Sequence, residues 1–583
     1  MGIISTTPSQ CRDCYKCVRL CPMKAIRVRR SADETGARVE VVDELCVLDG
    51  RCVAGCPQDA KTISNDRPYI EALMASARPI YVSLAPSYVA AFQVDDPGQV
   101  VAGLRKLGFI GVQETAVGAE LVAAECARLL KETDHPLIAS PCPVVVNLVE
   151  QQYPAVMDAM APVVSPMVAH ARYIKRLHPD VAVVFVGPCI AKKREPSDAH
   201  VVGDVDAVLT FRQLAAWFAD AEIDLKSLEP EAFDDGRPQL ARLFPVAGGL
   251  LRAAALSTDL LDTDIITISG VDSVTAFLEE FASGTVPHRF VDILACEEGC
   301  VGGPAYPCEA HPLERRREVI ARTQADPSPQ PVAAPMPDLD LSRTFTDRTP
   351  LRERFSEAEI ARVLALTGKH SPEDERNCGA CGYNSCREKA IAVLRGMADP
   401  EMCIPYMREH AESMADLVIK YSPNGVLVVD RNFEIVDMNP TAERMFGCTL
   451  EERKGTAVAA LFPLEYFEES GHKGEVVHDH VILPERGLIL HATIFPAHGD
   501  LLIVAILIDI TEREQRMAEL DRMRQETLER STEVIRKQML VAQQIAGLLG
   551  ETTAETKLLL TQLMDVMRKQ QNRAPDGGVG KPD

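Results

Sequence analysis

Between residues 77 and 320 short apolar runs alternate with amphipathic stretches. Ile80–Leu84, Leu137–Ala139, Val181–Val186 and Ala207–Leu209 predict buried strands, and residues 99–107, 117–130 and 211–220 carry apolar positions at helical spacing. Such alternation predicts an α/β body. Residues 321–349, rich in proline, alanine and aspartate from 323 onward, predict a semi-rigid linker. A strand is expected over Leu501–Ile508, and a helix from 513 to about 570, broken or frayed near Gly547 and Gly550. Met517, Leu520, Val534, Val541, Ile545 and Leu548 keep three–four spacing there, but Arg524, Thr527, Ser531 and Gln538 share the seam. Any coiled coil so interrupted is expected to be marginal, which leaves a homodimer through this helix open.

Length and charge bound the rest. A chain of 583 residues should hold several domains. Its net charge of −23 argues against nucleic acid and anionic membranes as partners. The longest apolar runs fall short of the ~20 residues of a membrane span, so no membrane insertion is expected. No secretory signal stands out, and 15 of 18 cysteines fall into ligand-like groups. Metal, rather than disulfides, is the expected use, in a cytoplasmic protein.

Cys11, Cys14, Cys17 and Cys21-Pro22 follow the C-x2-C-x2-C-x3-C-P run of bacterial ferredoxins, in which the fourth cysteine serves the other cluster. The second run has Cys46, Asp49, Cys52 and Cys56, with Asp49 at the second ligand position. Over residues 1–68 this implies one [4Fe–4S] cluster on Cys11, Cys14, Cys17 and Cys56, and another on Cys46, Asp49, Cys52 and Cys21. A hard carboxylate suits iron–sulfur less well than a thiolate. The second site is therefore open between [4Fe–4S], with Asp49 bound, and [3Fe–4S], with Asp49 a turn residue.

Four further cysteines lie in Ser140-Pro141-Cys142-Pro143, in Pro188-Cys189 followed by Lys192, Lys193 and Glu195, and in Cys296-Glu297-Glu298-Gly299-Cys300 followed by Gly302-Gly303. In this order the segments resemble the active-site loops of [FeFe]-hydrogenases. The resemblance implies that Cys142, Cys189, Cys296 and Cys300 hold the [4Fe–4S] cube of an H-cluster, that Cys300 bridges to a two-iron subsite carrying CO and cyanide, and that Lys192 hydrogen-bonds a cyanide. Lys193 is expected to be a solvated surface residue. Of the family's proton relay Glu125 and Ser165 correspond, with Glu195 retained beside Lys192. Leu129 replaces an acid, and Pro141 replaces the cysteine that passes protons. Leu294 and Gly187 stand where catalytic members carry methionines. Weak hydrogen turnover is the expectation, since a lost acid–base group typically lowers a rate by ~10²–10⁴.

Cys378, Cys381, Cys386 and Cys403, within 350–409, resemble the small [4Fe–4S] domain of corrinoid iron–sulfur proteins, with zinc the competing occupant. Residues 412–512 resemble a PAS domain, from Ser422-Pro423-Asn424-Gly425 to the exit Asp509-Ile510-Thr511. Whether it takes a ligand is open; His478 and His480 read as exposed. The last histidine is His498, so the helix that follows lacks a histidine-kinase phosphoacceptor.

The fold expected is multidomain, α/β and α+β: a ferredoxin-like domain, a hydrogenase-like body, a small four-cysteine domain, a PAS module and a signalling helix over 513–583. The function expected is a sensor of hydrogen or redox state that passes cluster state to a separate signalling protein. Two alternatives stay open: a catalytic ferredoxin-dependent hydrogenase with a regulatory tail, and an iron–sulfur assembly-type protein lacking the two-iron subsite.

Overall fold

The computed structural model describes residues 2–571 except 31–36, 77, 235–239, 260, 285–287, 326–335, 337, 352, 474–475, 498–500 and 550–552. The proline-rich start of the linker and His498 lie outside the described residues. Two compact units divide the chain, residues 1–408 and 409–583.

At the heart of the first unit lie two parallel sheets. One runs in the order Gly111–Glu114, Ile80–Leu84, Ala182–Gly187, Ala207–Thr210. The other is Ile265–Ser269, Phe290–Leu294, Leu137–Ile138. Helices Gly98–Lys106, Ala116–Glu132 and Phe211–Asp220 agree closely with the expected segments.

Two of the strands not anticipated carry polar residues in buried positions, which broke the apolar pattern. Gln113 and Glu114 are both buried, as is Asp292. Gln113 Oε1 accepts from His170 Nε2 at 3.0 Å, while Ser83 Oγ lies 2.8 Å from His170 Nδ1. Glu114 is gripped by Arg242, whose Nε donates to Oε2 at 2.7 Å. Gln113 and Glu114 thus have the partners that burial requires, while Asp292 accepts from the Gly248 N–H through Oδ2 at 3.1 Å and keeps a buried Oδ1 with no hydrogen-bond partner.

His170 yields a pH prediction. Burial in this core lowers its pKa from 6.5 to about 3, so it is neutral in the fold. The unfolded chain binds the proton more readily, and the stability contributed by neutral His170 is lost as pH falls from about 6.5 towards about 3. Urea unfolding at pH 7 and pH 5 is expected to show a smaller difference for His170→Gln than for the unsubstituted chain.

The amino-terminal domain pairs Ile4–Thr6 with Lys61–Ile63, and Ile26–Arg30 with Ala37–Val41, both antiparallel. The small four-cysteine domain packs helix Glu357–Ala365 against Cys386–Leu394 and docks on this domain. Arg19 Nη1 donates to the Ala380 carbonyl at 3.0 Å, and the Val28 N–H to that of Met397 at 2.9 Å. A Cβ at Gly382 would meet Val18 Cγ1 at 2.8 Å and the Arg19 nitrogen at 3.0 Å, and its φ is +96°. Only glycine permits that approach.

The later part of the linker is not a free spacer. Residues 340–348 cross the body as a strap, with the Val164 N–H on the Leu341 carbonyl at 2.9 Å and the Arg343 N–H on that of Pro162 at 3.1 Å. The Arg348 N–H reaches the Glu150 carbonyl at 2.8 Å.

In the second unit five antiparallel strands run in the order Ile435–Met438, Gly425–Asp430, Leu502–Asp509, Leu488–Ala497, Val477–Leu483. Asn439 Oδ1 accepts from the Ala442 N–H and caps helix Pro440–Phe446. His478 and His480 are exposed on the edge strand. Helices Thr511–Leu549 and Thr553–Gln571 follow, the first running through Gly547. Its Met517, Leu520, Val534, Val541 and Ile545 are exposed. Among the described residues no helix is long and apolar enough to cross a membrane.

Candidate functional site

Three of the four scattered cysteines leave the carboxyl ends of parallel strands, where α/β folds present their ligands. Cys189 lies just past Ala182–Gly187, Cys296 just past Phe290–Leu294, and Cys142 follows Leu137–Ile138 as the residue preceding helix Pro143–Gln152. Cys300 opens a 3-10 turn, Cys300–Gly302. The turn needs glycine: a Cβ on Gly299, at φ +92°, would meet the Pro245 carbonyl oxygen at 2.5 Å.

The fold brings the four thiols within electrostatic reach of one another. Burial, then Cys189, Cys300 and Cys142, hold the Cys296 thiol well above its ordinary range. Burial and Cys142 raise Cys189 to about 11, and burial, Cys142 and Cys189 raise Cys300, against the nearby Lys192. None of the 18 cysteines is in a disulfide. Clustered thiols of this kind, with Cys189, Cys296 and Cys300 reluctant to ionise alone, fit iron–sulfur ligation, which supplies the positive charge they lack.

Beside them opens a cavity of about 570 Å³ with a largely apolar wall. Cys189, Cys300, Lys192, Pro141, Leu294 and Phe185 contribute to it. Pro141 therefore faces the cavity with a ring that carries no proton donor. A Cβ at Gly187 would meet the Phe185 ring at 2.6 Å, so Phe185 occupies the room a longer side chain would need.

Lys192 Nζ donates to Glu195 Oε2 at 2.8 Å, and Arg343 Nη1 donates to Oε1 at 3.2 Å. Arg343 also reaches Asp198 Oδ2 at 2.9 Å. Burial alone would raise the Glu195 carboxyl, but Lys192 and Arg343 hold it below its ordinary value. Glu125 goes elsewhere: both its oxygens accept from Arg128, at 2.6 and 2.9 Å, on helix Ala116–Glu132. Leu129 packs on the apolar core. Lys193 is not a surface residue; its Nζ is buried, 2.5 Å from the Val208 carbonyl and 3.2 Å from Asp66 Oδ1. The sequence could not show that a second lysine of the pair is pinned by a distant aspartate. Arg343 was equally hidden, since it lies in a segment that reads as linker.

In the amino-terminal domain Cys21, Cys46, Asp49 and Cys52 gather in one buried place. Burial and Asp49 raise Cys21 to about 12, and burial raises Cys46 to about 11. Burial, then Asp49, Cys46 and Cys21, also push Cys52 upward. Burial raises Asp49 to about 6, against Arg51 and nearby backbone N–H groups, and its Oδ2 is buried with no hydrogen-bond partner. An orphaned carboxylate oxygen among thiols is what a metal ligand looks like before its metal is counted. Backbone N–H groups donate to sulfur at Cys21 (from Ala25, 3.3 Å), Cys46 (from Leu48, 3.4 Å) and Cys56 (from Ala60, 3.4 Å). Cys17 lies near Cys11 and Cys14, its thiol raised mainly by burial. The Asp49–Gly50 turn presses on the cavity loops: a Cβ at Gly50 would meet Pro304 at 2.5 Å and Ile190 at 2.8 Å.

Cys378, Cys381, Cys386 and Cys403 line one cavity of about 460 Å³. Lys369 Nζ donates to Cys403 Sγ at 3.4 Å, placing a cation beside the thiols. Among the described residues no three His, Cys, Asp or Glu side chains converge closely enough to share a single metal ion.

Comparison with known proteins agrees with this layout. Residues 78–304 match the iron-only hydrogenase large subunit, C-terminal domain; 10–60 a 4Fe–4S dicluster domain; 374–405 a putative Fe–S cluster family; and 417–478 a PAS domain. Over residues 78–304 the chain is thus similar to the hydrogenase large subunit. It is further similar to a dicluster domain in the sequence before that segment and to a PAS domain after it.

Among curated relatives, an NADP-reducing hydrogenase subunit of Solidesulfovibrio fructosivorans is 28% identical over 353 residues, 48% of this chain and 60% of that protein. Iron hydrogenase 1 of Clostridium pasteurianum is 24% identical over 312 residues, 44% of this chain and 54% of that protein. A cytosolic Fe–S cluster assembly factor of Kluyveromyces lactis is 30% identical over 154 residues, 24% of this chain and 33% of its own length. The chain thus spans less than two thirds of the length of each of these relatives. A solved [FeFe]-hydrogenase from Chlamydomonas reinhardtii aligns with 48% of this chain and 99% of its own, at 19% identity and a TM-score of 0.37.

Proposed function

We propose that this chain is a sensor of hydrogen or redox state, with an H-cluster-type site of low turnover. In this reading Cys142, Cys189, Cys296 and Cys300 hold a [4Fe–4S] cube, and the adjoining cavity takes a two-iron subsite with CO and cyanide. When bound, that group supplies reversible hydrogen binding and electron exchange. Lys192, fixed by Glu195, offers its ammonium to the cavity as a charge-assisted donor. The observation that carries the reading is Pro141: the cavity wall beside Cys142 presents carbon where proton transfer needs a titratable group.

The remaining ligand sets are Cys11, Cys14, Cys17 and Cys56; Cys46, Asp49, Cys52 and Cys21; and Cys378, Cys381, Cys386 and Cys403. Contact of the Asp49–Gly50 turn with the cavity loops, and of the small domain with residues 19–30, supports a relay from cavity to third cluster. The PAS module and its helix would then address a separate kinase, phosphatase or regulator.

Infrared spectroscopy on protein co-expressed with the hydrogenase maturases tests this. CO and cyanide bands that change under hydrogen are expected; their absence would sink the reading in favour of an assembly-type role, which the assembly-factor relative favours. Asp49→Cys is expected to increase iron per chain and to replace any [3Fe–4S] resonance in the electron paramagnetic spectrum by a [4Fe–4S] one.

A further inference from the structure

The strap 340–348 joins the body to the small iron–sulfur domain, and it touches the cavity's own supports. Arg343 is its most deeply anchored side chain, only 3% exposed. It divides its guanidinium between Glu195 and Asp198, at 3.2 and 2.9 Å. Glu195 spends its other oxygen on Lys192, which lines the cavity. Backbone bonds at Leu341 and at Arg343 itself fix the strap to residues 162–164, next to Ser165. Strap and cavity wall are therefore linked by two consecutive charged contacts, Arg343 to Glu195 and Glu195 to Lys192, with no intervening solvent-exposed group.

We infer that Arg343 is a positioning residue: through Glu195 it sets where Lys192 stands in the cavity, and it makes the strap respond to what the cavity holds. The inference rests on the hydrogenase-like reading of the cavity for its ligand, but not for the mechanical link itself. The physical basis is that a buried carboxylate shared by two cations cannot lose one of them without shifting towards the other. The turns that carry Lys192 and Glu195 are short 3-10 pieces, Ala191–Lys193 and Glu195–Ser197, with little helical structure of their own to resist such a shift. Coupling of this kind needs one element with two arrangements that both ends bias.

Arg348 is the natural control. It anchors the same strap through Glu150 and Asn147, distant in sequence from Lys192. Hydrogen exchange on the full chain without the two-iron subsite provides the first readout. Arg343→Met is expected to speed exchange of amides in 191–198 several-fold, whereas Arg348→Met, whose guanidinium acts on Asp198 without a hydrogen bond to it, should free strap amides with a clearly smaller effect on 191–198. Arg343→Lys, which keeps the charge, should fall between and covers the case in which the Met variant does not fold. The second readout is infrared on matured protein, where Arg343→Met should move the cyanide bands and Arg348→Met should not.

Unchanged exchange at 191–198 in both Arg343 variants, or equal acceleration in Arg348→Met, would overturn the inference. So would unmoved cyanide bands in Arg343→Met. Absence of bands from the unsubstituted protein would instead defeat the proposed function, and hydrogen exchange would still decide the link.

Discussion

Pro141→Cys is expected to raise hydrogen turnover of the matured protein by roughly 10²-fold, the lower end of what a positioned acid–base group contributes. A thiol at 141 would face the same cavity wall as Cys189, Cys300 and Lys192. Behind it Ser165 and Glu195 are both buried, and the Ser165 hydroxyl has no hydrogen-bond partner, which leaves it available to an inner proton path. The outer path would stay poor, because Leu129 is apolar and Glu125 is held by Arg128 in the ionised form. Pro141→Ala separates the thiol from the mere removal of proline; it is expected to leave turnover low. Hydrogen uptake with an artificial acceptor measures all three proteins. High turnover in the unsubstituted chain would end the sensory reading.

Glu195→Ala carries the largest expected stability loss, on the order of 3–5 kcal/mol, the range for breaking a buried ion pair from one side. It would leave Lys192 and Arg343, with side chains 10% and 3% exposed, as neighbouring buried cations. Glu195→Gln keeps an acceptor for one of them and should lose less. Urea unfolding followed by the single tryptophan, Trp217, buried in the body, gives the difference directly. A change below about 1 kcal/mol for the Ala variant would mean the pair is nearly neutral, as many exposed pairs are.

Much of the architecture was legible because local pattern and burial agreed. Ile80–Leu84 and Phe211–Asp220 appear at the positions that apolar spacing predicts. The strands with Gln113 and Asp292 were not legible, since their polar residues find partners only across the folded core. The ferredoxin-like run and the run from Cys378 to Cys403 stand out by spacing, whereas Cys142, Cys189, Cys296 and Cys300 group only through the resemblance of their flanking residues. The roles of Lys193 and Arg343 were not: each depends on a partner far along the chain, Asp66 for one and Glu195 for the other. Sequence reports what a residue is able to do, and these two are ordinary cations until the fold buries them.

The three iron–sulfur groupings differ in how far the chain must travel to make them. Cys378 to Cys403 and the two amino-terminal runs close short loops, and such sites commonly order their peptide as metal arrives. Cys142 and Cys300 are separated by 158 positions; both follow strands of the three-stranded sheet, while Cys189 follows a strand of the four-stranded one. Closing that separation falls to the sheets and their buried strands, at an entropic cost that ligation of a few thiols is poorly placed to meet. The chain entropy of gathering these distant thiols is therefore met by the packing of the body rather than by the thiols' own bonds.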